Sequence, residues 1–122
     1  STYPPYNIEK YSDDQYRIVL AVAGFGQDDI EVVCDQNTLV VQGHMKNKNG
    51  HEDLHRGIAT RDFERVFDLA DYIEVTGAVM GDGLLIIDLK RELPEAMKPR
   101  RIEIGAAPLR HLEHGKLDKA AA

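Results

Sequence analysis

The sequence predicts an all-β fold built around one hydrophobic core. Three observations lead there: apolar residues recur at every second position through residues 6–89, Gly, Asp and Asn collect between those runs, and nothing requires a helix of ordinary length. A chain of 122 residues suits one domain, able to hide about two thirds of its unfolded surface.

The chain starts at Ser1 without an initiating Met and runs directly into Tyr3-Pro4-Pro5-Tyr6, which suggests that a natural N-terminal arm precedes it. Ile18, Leu20 and Val22 then share one parity, and the turn residues Gly24-Phe25-Gly26-Gln27-Asp28-Asp29 end that strand. Ile30, Val32 and Cys34 repeat the alternation, Asp35-Gln36-Asn37 makes a tight polar turn, and Leu39 and Val41 follow, so residues 30–43 read as a hairpin. On this pattern Cys34 is a small core residue.

Residues 44–60 break the rhythm with Lys46-Asn47-Lys48-Asn49-Gly50, three histidines and few apolar side chains. A weak strand within residues 52–58 has too little core-facing surface to stand alone and needs an outside edge to pair with. Phe63, Arg65, Phe67 and Leu69 then fall on one parity. Arg65 is thereby aimed inward, and a guanidinium there needs a carboxylate or carbonyls, expected at an edge or a subunit contact. Ile73 and Val75 open the next strand, Gly81-Asp82-Gly83 turns, and residues 84–89 are apolar on both parities apart from Asp88, which predicts a strand covered on both faces.

Beyond Leu93 the prolines Pro94 and Pro99 bracket a segment too short for a stable helix, and Ile102 and Ile104 stand two apart, pointing the same way from an extended tail. Such a tether lets the two isoleucines reach a groove outside their own sheet, an alternative to an ordinary last strand. Leu109, Leu112 and Leu117 with His111 and His114 read as a disordered end, or a turn or two of helix.

Charge narrows the function. Fifteen basic against 21 acidic residues give a net charge of −6, contrary to the basic face that phosphate binding needs, so no nucleic-acid partner is expected. No apolar run is long enough for a membrane span. The single Cys34 excludes an internal disulfide and no secretory leader is evident, which suits a reducing cytoplasm. Phosphate-loop and nucleophile-elbow patterns are missing, and Gly24-Phe25-Gly26 lacks the third glycine of a dinucleotide fingerprint. His44, His51 and His55 lie in a loop without a rigid frame, so neither a metal nor any other cofactor is expected, and no enzyme activity.

Four segments together resemble the bacterial small heat-shock proteins, which are built on an α-crystallin domain. Ala78-Val79-Met80-Gly81-Asp82-Gly83-Leu84-Leu85 is similar to the family's A-x-x-x-n-G-x-L pattern, and residues 61–69 to its F-x-R-x-F-x-L strand. Ala21-Val22-Ala23-Gly24-Phe25 is similar to its A-x-P-G segment, with Ala23 in the proline position, and Ile102-Glu103-Ile104 to its C-terminal I-x-I. Pro94-Glu95-Ala96 and Lys98-Pro99-Arg100-Arg101 most resemble the inclusion-body-binding members.

The resemblance implies an immunoglobulin-like β-sandwich, an α-crystallin domain over residues 1–93, with a protruding loop strand and an extended C-terminal tail over residues 94–122. It implies a dimer in which Glu52, Leu54 and Ile58 join a partner's first strand near Tyr6 and Ile8, with Arg65 at the contact. It further implies that Ile102 and Ile104 dock into a groove between the strand of Ile30, Val32 and Cys34 and the strand of Ile73 and Val75. The function implied is an ATP-independent holdase that assembles into larger oligomers, binds partly unfolded client proteins and passes them to ATP-dependent chaperones. Two other readings remain at this point: a monomeric co-chaperone of the same sandwich type, and a ligand-binding module, the latter weakened by the absence of any Trp.

Overall fold

A computed structural model describes residues 2–45, 50–58 and 61–106. The expected disorder or short helix around Leu109, Leu112 and Leu117 lies outside the described residues. Seven strands follow in order: β1 (Tyr6–Lys10), β2 (Gln15–Ala21), β3 (Ile30–Asp35), β4 (Thr38–Gly43), β5 (Phe63–Asp68), β6 (Ile73–Gly81) and β7 (Leu84–Arg91). Short 3-10 turns occupy Gln27–Asp29 and Glu95–Met97. No described helix is long and apolar enough to cross a membrane.

The strands make two antiparallel sheets, one in the order β1-β2-β7-β6 and the other in the order β3-β4-β5, packed as a sandwich. The alternation in the sequence decides which side of each strand is covered. Ile18 and Leu20 of β2, Leu39 and Val41 of β4, and Leu85, Ile87 and Leu89 of β7 all point into the core, joined by Val22, Phe25, Phe63 and Phe67. Each such side chain contributes about 1.5–3 kcal/mol by leaving water. Asp82 and Gly83 both take positive φ, 54° and 77°, making the two-residue hairpin turn whose twist matches its strands. β6 carries a bulge between Val75 and Gly77, so the register with β7 shifts by one residue there.

Two expectations are corrected. Cys34 is exposed, not a core residue. It pairs with Leu39 at the far end of β3, next to the turn, and β3 is an edge strand covered by one neighbour only. Its Sγ lies 3.6 Å from the Gln36 carbonyl oxygen. The second correction concerns β7, which has a core on one face alone. Leu84, Ile86 and Asp88 on its outer face are half-buried, shaded by neighbours in the same sheet, since Val19 and Val79 both stand opposite Ile86. A central strand gains cover from its flanking strands without a second layer above it.

A candidate interaction surface at the open edges

Four strands end the two sheets: β1 and β6 in one, β3 and β5 in the other. Among the described residues each leaves a row of backbone N–H and C=O groups without a sheet partner, which is the ordinary basis for adding a strand from elsewhere. The two sides of the sandwich differ in how those edges are treated.

On one side β1 and β5 approach each other. The Tyr6 ring meets Phe67 edge-on at 5.1 Å between centroids, and Tyr3 meets Phe63 in the same manner at 5.9 Å. Between these two contacts Arg65 donates from Nε (3.3 Å) and Nη2 (3.0 Å) to the carbonyl oxygen of Pro4, with its guanidinium 4.9 Å from the centre of the Tyr6 ring. The acceptor that the sequence demands for Arg65 is therefore a backbone carbonyl of its own chain, 61 positions away. Among the described residues no carboxylate pairs with it. Below this point the sheets part into a cleft of about 650 Å³ lined by Tyr6, Ile8, Val66, Phe67, Ile73 and Leu89. Ile8, an apolar residue on the inner face of β1, is 62% exposed there.

The loop that leaves β4 and returns to β5 is tied at its root. His44 and Asp62 continue the β4–β5 pairing one step past Gly43 and Phe63, with His44 Nδ1 2.7 Å from Asp62 Oδ2 and the Met45 N–H donating to Asp62 Oδ1 at 3.0 Å. Farther out, residues 50–58 form no strand within the single chain. Asp53 holds Arg56 at 2.8 Å and His51 at 3.2 Å, and the hydrogen bond from Arg56 keeps its carboxyl below the usual value. Leu54 is 98% exposed, and Glu52 and Ile58 are exposed beside it.

On the opposite side β3 and β6 leave a second seam. Ile30 and Val32 of β3 and Ile73 and Val75 of β6 each pack against the core and remain half-buried, and Ile73 also reaches the cleft beside Tyr6 and Ile8. Cys34, expected alongside them, stands exposed at the far end of β3. The tail does not fill this seam: Ile102 is 72% and Ile104 is 99% exposed, and the residues around them carry no strand pairing.

The residues read from the sequence thus gather into two edge regions and two apolar segments that their own subunit leaves uncovered. Sequence reasoning missed Tyr3, Pro4 and Arg61. Pro4 is fully buried and the Arg61 guanidinium lies 4.8 Å from the centre of the Tyr3 ring. The signal was present in the Tyr-Pro-Pro-Tyr run, two rings spaced around residues that donate no backbone N–H.

Known proteins share this fold. A family model described as Hsp20/alpha crystallin family matches residues 8–105. Small heat shock protein HspH of Bradyrhizobium diazoefficiens is 55% identical over 106 residues, 87% of this chain and 70% of that protein. Small heat shock protein IbpA of Pectobacterium carotovorum is 52% identical over 103 residues, 84% of this chain and 75% of its own length. Among solved structures, small heat shock protein AgsA from Salmonella typhimurium, truncated at its C-terminus, superposes with a TM-score of 0.67 at 28% identity, covering 83% of this chain and 98% of that one. The small heat shock protein of Synechococcus phage S-ShM2 gives 0.65 at 39% identity, covering 84% and 99%.

Proposed function

The chain belongs to the Hsp20/alpha crystallin family, whose bacterial relatives are small heat shock proteins, and from that membership we propose that it is an ATP-independent holdase assembled from strand-exchanged dimers. It binds partly unfolded proteins, suppresses their aggregation, and yields them to energy-using chaperones in the cytoplasm. Residues 1–93 form the α-crystallin domain and residues 94–122 the extension that links dimers into larger particles.

One observation carries this reading: the apolar residues Leu54, Ile58, Ile102 and Ile104 are exposed in a chain whose β1 and β3 edges are open. In the dimer, Glu52, Leu54 and Ile58 of one copy lie along β1 of the other. The cleft beside Tyr6 and Ile8 supplies an apolar seat for Leu54 and Ile58, and Arg65 lies against the Tyr6 ring that lines it. Ile102 and Ile104 take the seam floored by Ile30, Val32, Ile73 and Val75, with Cys34 at its end. Burying two isoleucines is worth about 3–6 kcal/mol before the tail's ordering cost is subtracted, small enough to reverse on warming. The freed edges and grooves then meet unfolded chains, whose own strands and apolar side chains compete for them.

The direct test is suppression of heat-induced aggregation of labile proteins without ATP, and unimpeded aggregation at a molar excess of this chain would reject the holdase reading. Assembly is tested by light scattering on Ile102→Ala/Ile104→Ala. The particle mass is expected to fall, and an unchanged mass would exclude tail docking as the link.

A further inference from the structure

The N-terminal strap, residues 2–6, is organised against β5 in a way that secondary structure alone does not explain. Three successive inward residues of β5 are each met by the strap: Phe63 by the Tyr3 ring, Arg65 by the Pro4 carbonyl, and Phe67 by the Tyr6 ring. The match follows the period of β5, two residues per step, while the strap itself makes no sheet hydrogen bonds with that strand. Two carbonyls tie the strap down, Pro4 accepting from Arg65 and Pro5 accepting from the Ala21 N–H at 3.0 Å. The two prolines have no N–H to give.

We infer that the strap is a built-in stand-in for an extended polypeptide, covering a groove along β5 that accepts aromatic-bearing unfolded segments when the strap lifts. This rests on the chaperone reading above and names a site for it. Arg65 is the reason the groove suits an unfolded chain. It cannot lose its charge, so it requires an acceptor in either state, and a backbone carbonyl is offered by every unfolded sequence. Phe63 and Phe67 on either side add a preference for rings, as Tyr3 and Tyr6 demonstrate within the chain itself. Phe63 also stacks edge-on with Phe25 at 5.4 Å, which keeps this wall of the groove in place when the strap leaves. Tyr6 lines the cleft below as well as covering Phe67, so the strap groove adjoins the seat proposed for the loop of a second copy and is separate from it. The occupant is therefore a second polypeptide in extended form, with two rings flanking a free carbonyl.

The test uses the whole chain and a fluorescein-labelled peptide carrying the sequence of residues 2–8, followed by anisotropy. Tyr3→Ala weakens the internal strap and is expected to bind the peptide several-fold more tightly than the parent, whereas Tyr3→Phe keeps the ring contact and binds as the parent does. Arg65→Leu added to Tyr3→Ala is expected to remove the gain. Equal affinity for the parent and Tyr3→Ala, or a gain that survives Arg65→Leu, overturns the inference. Should a variant fail to fold, amide exchange on the parent decides the matter. The Ala21 N–H, held by Pro5, is expected to exchange about tenfold faster than β2 amides bonded to β7, and equal protection overturns the inference. Aggregation suppression by the parent, measured alongside, separates the two ideas: its absence removes the holdase reading, while its presence with an unresponsive peptide removes the strap groove alone.

Discussion

Gly43→Ala tests the packing that holds the β5 groove. Gly43 is buried at the end of β4, opposite Phe63 across the sheet, and the Phe63 ring lies over its backbone. A Cβ at this position would stand 2.7 Å from Phe63 Cδ2 and 2.8 Å from Cζ, and closer still to Cε2. The ring has little room to yield, being held edge-on by Phe25 and Tyr3. Overpacking of this kind costs about 1–3 kcal/mol, and loss of one ring contact adds about 0.5–1.5 kcal/mol. Opposing them, replacing Gly by Ala reduces unfolded-state entropy and returns about 0.4–1 kcal/mol. The steric effect wins, leaving a net destabilisation of about 1–3 kcal/mol. With a urea slope of about 1–3 kcal/mol/M, the unfolding midpoint is expected to fall by about 1 M. The companion Gly43→Ala/Phe63→Leu, with a smaller side chain above the new methyl, is expected to recover part of the loss. An unchanged midpoint in Gly43→Ala, or a double variant no more stable than the single, would refute the reasoning.

Other outcomes follow from the same structure. Arg65→Leu strips the Pro4 carbonyl of both its donors in a buried setting, so a loss of about 1–3 kcal/mol is expected by thermal or urea melting; an unaltered curve would show that the bond carries no net stability. Cys34 is expected to react with an aromatic disulfide reagent in the native protein, and reaction only after denaturation would contradict its exposure. Asp53 titrates below its ordinary value of 3.8 because Arg56 hydrogen-bonds it, with the Arg56 and His51 charges assisting. Its depressed folded value means that the contribution is present above 3.8 and disappears as pH falls through the lower value. Carbon-13 NMR of the Asp53 carboxyl checks this, with Arg56→Gln expected to move the titration back toward 3.8; the same curve in both proteins would remove Arg56 as the cause.

Most strands could be read from the sequence because sheet formation with one buried face imposes a local rule, alternate residues inward. Ile18 and Leu20, Leu39 and Val41, and Leu85, Ile87 and Leu89 obey it and make the core. The hairpin at Asp82-Gly83 was equally local, since positive φ at both turn positions favours that pair. The same rule misled at Cys34. Parity says which way a side chain points, but not whether a second sheet reaches far enough to cover it, and at the end of an edge strand none does. For β7 an apolar outer face was compatible with two covering layers or with shading by flanking strands, and strand order alone distinguishes them.

By itself the sequence determined the strands, the inward residues, the need of Arg65 for an acceptor, and the apolar segments around Leu54 and Ile104 that exceed what one core can use. Tertiary structure decided which edges meet and which remain open. It set Pro4, 61 positions away, against Arg65, and brought Tyr3 and Tyr6 over Phe63 and Phe67. The division has a physical origin. Periodicity is imposed by neighbours within a few residues, whereas pairing between distant segments depends on how two twisted sheets are laid against each other, and that is a property of the assembled sandwich rather than of any stretch of chain.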